Sequence, residues 1–222
     1  MSKLERSVSG LPAKGLYVIT DSTLAGTAGV VAQVRSSLQG GAKVVQYRDK
    51  SRDDVTRLAE ARQLLTLCRA ASVPLIINDD VALAQQIGAD GVHLGRHDPV
   101  LGSARDRLGK HAIIGVSCYN RFELAEQAVE QGADYIAFGR FFSSITKPNA
   151  QVADLQLLQR ARKELKVPVV AIGGITPENG GVLIAAGADL LAVIHAVFAQ
   201  SDVKAACTEF NRLFENQKDS LR

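Results

Sequence analysis

One phrase recurs along this chain and restricts its fold more than any other feature: a helical stretch closes on Gly-Ala, a charged residue follows, and a short apolar run begins. It stands at Gly41-Ala42-Lys43, Gly88-Ala89-Asp90, Gly132-Ala133-Asp134 and Gly187-Ala188-Asp189. Glycine just past a helix can take the left-handed conformation that ends it, and the runs that follow (VVQY, GVHL, YIAF, LLAV) read as buried strands. Further runs of this kind start at Leu16 (LYVIT), Pro74 (PLIIN), Ala112 (AIIGVS) and Pro168 (PVVAIG), making eight strands in all. Runs that are apolar throughout, without polar alternation, point to strands covered on both faces, as in a parallel sheet flanked by helices.

The segments between the runs carry helical spacing and start signals. Leu58, Ala61, Leu65 and Cys68 fall on one helical face behind Ser51, which is read as an N-cap with Asp54 three residues later. Asn120 with Glu123 predicts another start, and Thr176-Pro177-Glu178 reads as N-cap, first-turn proline and first-turn acid. Eight strands alternating with eight helices predict a single (β/α)8 TIM barrel over residues 1–222, with 1–14 and 216–222 as flexible tails. An open doubly wound sheet is the alternative. A chain of 222 residues, 46% apolar, suffices for one such domain.

Several function classes are disfavoured. A net charge of +3 without basic blocks, and aromatic content of 5% with no tryptophan, argue against nucleic acid as a partner. Cys68, Cys118 and Cys207 are odd in number and widely spaced, which indicates neither a disulfide framework nor a zinc site and suits a reducing cytoplasm. The start MSKLERSVSG lacks the apolar core of a signal peptide, and no apolar run approaches the roughly 20 residues that span a bilayer. A cytoplasmic protein acting on small molecules is expected, with no membrane partner; a homo-oligomer is left open.

In (β/α)8 barrels the chemistry sits at the C-terminal ends of the strands, so the polar residues that end each run are the candidates. Gln46, Arg48 and Lys50 are spaced to share one side of an extended segment and suit a polyanion, or else make ordinary surface ion pairs. Asp79 and Asp98 end neighbouring strands; two hard carboxylates without clustered Cys or His favour magnesium. Asp80 is assigned to capping the helix near Val81, leaving Asp79 for the metal. Gly173-Gly174 before a capped helix start reads as a phosphate cradle, and the segment Gly139 to Lys147 is rich in hydroxyls. His93 is expected to be a hydrogen-bonded barrel residue, Cys118 lacks a sequence arrangement that would activate it, and Cys68 and Cys207 are expected to pack helices.

These motifs together resemble the thiamine-phosphate synthase family: QYRDK (46–50), LIINDD (75–80) and GVHLGRHD (91–98), followed in family order by IIGVSCYN, FFSSITK, VVAIGGIT and LLAVIHAVF. The resemblance runs from about Leu16 to Phe198. It implies that Gln46, Arg48, Lys50, Asn78, Ser117 and Lys147 hold a pyrimidine diphosphate, with Arg48, Lys50, Ser117 and Lys147 as the catalytic group. It further implies that Asp79 and Asp98 bind magnesium, and that Ser144, Ile145, Thr146, Gly174, Ile194 and His195 hold a thiazole phosphate. The implied reaction is dissociative, with pyrophosphate leaving before the thiazole nitrogen attacks, so no enzyme nucleophile is needed. The chain departs from the family pattern at Arg96-His97 before Asp98, at Ser144 and at His195, whose ring is larger than the usual serine. The rival readings are a thiazole tautomerase on the same barrel and a non-catalytic sensor of thiamine precursors.

Overall fold

The computed structural model describes residues 10–50, 53–95, 100–143 and 152–219. Eight parallel strands close into a barrel in sequence order: β1 (Gly15–Ile19), β2 (Val44–Tyr47), β3 (Leu75–Asn78), β4 (Gly91–Leu94), β5 (Ile113–Tyr119), β6 (Tyr135–Gly139), β7 (Val169–Ile172) and β8 (Leu190–Val193). β1 pairs with both β2 and β8, so no edge is left unpaired and the open-sheet alternative is excluded. All eight strands lie where the apolar runs predicted them.

The outer layer is α1 (Gly29–Gln39), α2 (Asp54–Ala70), α3 (Val81–Ile87), α4 (Leu101–Leu108), α5 (Phe122–Glu130), α6 (Leu155–Glu164) and α7 (Pro177–Ala186). A single helical turn, α8 (His195–Phe198), follows β8 and precedes the long α9 (Val203–Asp219). The long α9 runs to Asp219, so residues 216–219, expected in a C-terminal tail, are helical. Leu11, expected in the N-terminal tail, is buried against the barrel interior.

Two helix starts differ from the sequence reading. Asp53 caps α2, accepting from the Val55 and Thr56 N–H groups, in place of Ser51, which lies outside the described residues. The first turn of α5 is preceded by Arg121 with no side-chain cap, so Asn120 does not serve there. Thr176 does precede α7 with Pro177 at the first helical position, and Asn179 completes the turn by accepting from the Thr176 N–H at 2.9 Å.

Alternation along the strands divides the core in two. Outward residues such as Leu16, Val18, Val45, Leu75, Ile77 and Val92 pack under the helices. Inward residues, among them Tyr17, Val44, Ile76, Ile113, Tyr135 and Leu190, fill the barrel. The strands look uniformly apolar because both faces are buried.

The aspartates of the recurring phrase have a structural role. The Leu75 N–H donates to Asp90 Oδ2 at 2.8 Å, the Ile114 N–H to Asp134 Oδ2 at 2.7 Å, and the Val169 N–H to Asp189 Oδ2 at 2.9 Å. Each aspartate's own N–H donates back to the same residue's carbonyl, at 3.1, 2.8 and 2.8 Å. The carboxylate satisfies the amide at the bottom of an odd-numbered strand and so clips it to the next strand. At Lys43 only the backbone half of this pair exists, the Lys43 N–H donating to the Leu16 carbonyl at 2.8 Å. Asp134→Ala is expected to destabilise the fold by about 2 kcal/mol, since it strands the Ile114 amide and removes the 2.6 Å ion pair with Arg105. Urea unfolding would measure this, with turnover retained because the clip lies at the end of the barrel opposite the candidate site.

Candidate active site

At the C-terminal mouth of the barrel the strand ends enclose a cavity of about 340 Å³. Gln46 and Arg48 reach it from β2, Asn78 from β3, and Ser117 from β5. Gly174 follows β7, and Ile194 and His195 follow β8, on the same cavity wall system. Candidates named from separate stretches of sequence therefore share one space. Lys50 and Asp79 are exposed and are not among the residues lining it. Asp98, Ser144, Ile145, Thr146 and Lys147 lie outside the described residues.

Arg48 is held from its backbone. Its N–H donates to Thr20 Oγ1 at 2.8 Å, while the Thr20 hydroxyl donates to the Arg48 carbonyl at 3.1 Å. Thr20 is buried, so both bonds are shielded from competing water. The guanidinium lies 3.7 Å from Asp21 Oδ2, a counter-ion that an incoming polyanion can displace.

The two aspartates after β3 divide their work as the sequence suggested for Asp80. That side chain accepts from the Leu83 N–H at 2.9 Å to cap α3, and its other oxygen accepts from Arg57 Nη2 at 2.7 Å. Asp79 sits at φ 63°, in the left-handed region, with its N–H donating to the His93 carbonyl at 2.9 Å. Aspartate tolerates that conformation better than most side chains do.

The Gly173-Gly174 pair is demanded by the protein itself. Gly174 has φ 66°, and a Cβ there would come within 2.3 Å of the Ser143 carbonyl oxygen. A Cβ on Gly173 would come within 2.3 Å of Arg140 Cβ. The glycines let the segment after β6 lie against the β7 end, whatever the cavity binds.

Side chains that sequence reasoning missed lie lower in the barrel. Gln46 Nε2 donates to the Tyr17 hydroxyl at 2.8 Å, and the Tyr17 and Tyr135 hydroxyls are 2.8 Å apart. His93 Nδ1 is 2.9 Å from the Tyr135 hydroxyl, and His93 Nε2 is 2.8 Å from Ser117 Oγ. Burial pushes both phenols well above their usual value, so each keeps its proton at neutral pH. His93 is thus the hydrogen-bonded barrel residue that the sequence predicted. A phenol two residues before another inward residue, as Tyr17 stands to Ile19, was the available signal. Arg140, also missed, adds a cation to the cavity wall.

Cys118 is fully buried, and loss of solvent pushes its thiol up to about 12. The same cause lifts Cys68 and Cys207 to about 12, and all three are free cysteines. None is poised as a nucleophile.

A protein-family model described as thiamine monophosphate synthase matches residues 16–197. The chain belongs to the thiamine monophosphate synthase family. A relative named thiamine-phosphate synthase from Thiobacillus denitrificans is 52% identical over 200 residues, covering 90% of this chain and 94% of that one. A thiamine-phosphate synthase from Nitrosococcus oceani is 50% identical over 201 residues, covering 90% and 93%. Among solved structures, a thiamine phosphate pyrophosphorylase from Pyrococcus furiosus superposes with TM-score 0.83 at 35% identity, covering 91% of this chain and 96% of that one. As a member of the thiamine monophosphate synthase family, the chain is a transferase with the family's barrel. No helix among the described residues is long and apolar enough to cross a membrane.

Proposed function

We propose that this enzyme joins an aminopyrimidine carrying a diphosphooxymethyl group to a thiazole phosphate, with or without a carboxylate on the thiazole, giving thiamine phosphate and pyrophosphate. The observation that carries the reading is that the two expected ligand sets open onto one cavity. Gln46, Arg48, Asn78 and Ser117 line it together with Gly174, Ile194 and His195. A coupling enzyme needs both ligands in contact, whereas a tautomerase or a sensor needs only one.

The chemistry follows from charge. The bond between the pyrimidine methylene carbon and the diphosphate oxygen breaks, its electron pair leaving with pyrophosphate. The thiazole nitrogen then gives its lone pair to the methylene carbon, and no side chain is consumed. Arg48 meets the charge that gathers on the leaving group, Lys50 and Lys147 are the further cations of the proposal, and Ser117 donates a hydrogen bond. The apolar part of the cavity wall, which includes Ile19, Val170 and Ile172, keeps water from the cation.

The donor chemistry fits magnesium. The Asp79 carboxylate is a hard oxygen donor, exposed beside the cavity residue Asn78, and the helix cap is supplied by Asp80 instead. No group of three His, Cys, Asp or Glu side chains suited to a metal occurs among the described residues, so phosphate oxygens and water would complete a shell begun by Asp79 and Asp98. Magnesium held there would neutralise part of the diphosphate charge.

Mixing purified protein with both phosphorylated precursors and magnesium should give thiamine phosphate by mass, with an equal amount of pyrophosphate. Tautomerisation without pyrophosphate, or tight binding without turnover, would replace this reading by one of its rivals.

A further inference from the structure

The barrel interior carries five polar side chains in a row where apolar ones would fill the same volume. Tyr17, Tyr135 and Gln46 are at most 2% exposed and His93 is 9% exposed. Burying hydroxyl, amide and imidazole groups is unfavourable unless each is hydrogen-bonded, and phenylalanine would pack as well as tyrosine. Here each is bonded, and the row crosses the barrel from Gln46 on β2 through Tyr17 on β1, Tyr135 on β6 and His93 on β4 to Ser117 on β5. The Tyr135 ring also stacks on the His93 ring, centroids 5.5 Å apart, and meets Tyr17 edge-on at 6.0 Å. All five members of the row are among the residues lining the cavity, with Gln46 and Ser117 at its two ends.

Donor counting gives the row a direction. The amide nitrogen of Gln46 can only donate, so the Tyr17 oxygen accepts from it and the Tyr17 proton goes to Tyr135. The Tyr135 proton then goes to His93 Nδ1, which must be bare, and His93 carries its proton on Nε2 and donates to Ser117 Oγ. Ser117 has accepted, so its own proton is left for the cavity. Gln46 spends one of its two N–H groups inward and so anchors the start of the row. The Ser117 hydroxyl is thereby fixed as a donor toward the cavity.

We propose that Tyr17, Tyr135 and His93 are positioning residues, forming a one-way hydrogen-bond relay, anchored by the Gln46 amide, that makes Ser117 a donor toward the pyrimidine substrate. The relay deepens the coupling reaction proposed above and rests on it for the substrates of its kinetic test. None of the three needs to touch the reacting atoms. Their contribution is to remove the rotational freedom of the Ser117 hydroxyl before the ligand arrives.

Two measurements test it. With isotope-labelled imidazole nitrogens in the unliganded wild-type protein, and the His93 signals assigned by their loss in His93→Gln, Nδ1 should resonate as a bare nitrogen and Nε2 as a protonated one. A proton on Nδ1 means that the row runs the other way and overturns the proposal. In Tyr135→Phe, kcat/KM for the pyrimidine diphosphate should fall about tenfold with KM for the thiazole phosphate unchanged. The same substitution made in Ser117→Ala should cost nothing further, because the residue through which the relay acts is already gone. An equal loss in both backgrounds would overturn the relay. If the wild type makes no thiamine phosphate, the coupling reading fails, while the nitrogen spectrum still decides the direction of the row.

Discussion

Asp79→Asn is expected to lower magnesium-dependent formation of thiamine phosphate about a hundredfold or more, with little change in stability. The choice of asparagine follows from the backbone. Asp79 sits at φ 63°, where asparagine is as well accommodated as aspartate, whereas alanine at that position adds about 1 kcal/mol of strain unrelated to any metal. Asparagine keeps the shape and one oxygen but removes the charge that a hard cation requires. The neighbouring residue supplies the control. Asp80→Ala removes the α3 cap and the Arg57 ion pair, so it should cost about 1 kcal/mol of stability and spare turnover. Initial rates titrated against magnesium separate the two variants, and wild-type rates in Asp79→Asn would remove this residue from the metal site.

Gly115→Ala is expected to cost about 3 kcal/mol or more and to abolish turnover with it. The position has no unusual backbone angle; its constraint is the ring opposite. A Cβ there would lie 1.9 Å from Tyr135 Cζ and 2.3 and 2.4 Å from the two Cε atoms. No rotation of the side chain relieves three such contacts, and Tyr135 cannot step aside without breaking its bonds to Tyr17 and His93. The methyl group and the ring therefore compete for one place in the barrel. In a Tyr135→Ala background the same glycine substitution should cost much less, which chemical unfolding of the four proteins of the cycle would show.

The barrel was legible because its signals are local and repeated. Glycine at four helix ends and eight apolar runs were enough to place the strands, while closure in preference to an open sheet is decided by the pairing of β1 with β8. Helix starts were less so. Ser51 and Asn120 are good caps by type, but Asp53 lies nearer the true first turn of α2, and α5 begins without a side-chain cap at all. At the site, residues ending strands were found because a polar group after an apolar run stands out. Gln46, Arg48, Asn78 and Ser117 are all of that kind, and all line the cavity. Tyr17 and Tyr135 stood inside apolar runs, where a tyrosine reads as core; their hydroxyls matter only through partners 118 residues apart in sequence, which no local pattern displays.

The aspartate clips also say where this chain can be divided. The bonds Leu75–Asp90, Ile114–Asp134 and Val169–Asp189 each close within one pair of consecutive strands. A break in the exposed stretch at Gly109 and Lys110 falls between pairs and severs none of them, so each piece would carry its own clips intact. A break at Gln131 and Gly132 would put Ile114 and Asp134 on different pieces. The barrel is continuous around its circumference, yet by these bonds it is assembled from two-stranded staves, and the seams between staves are the places where a new pair of chain ends disturbs it least.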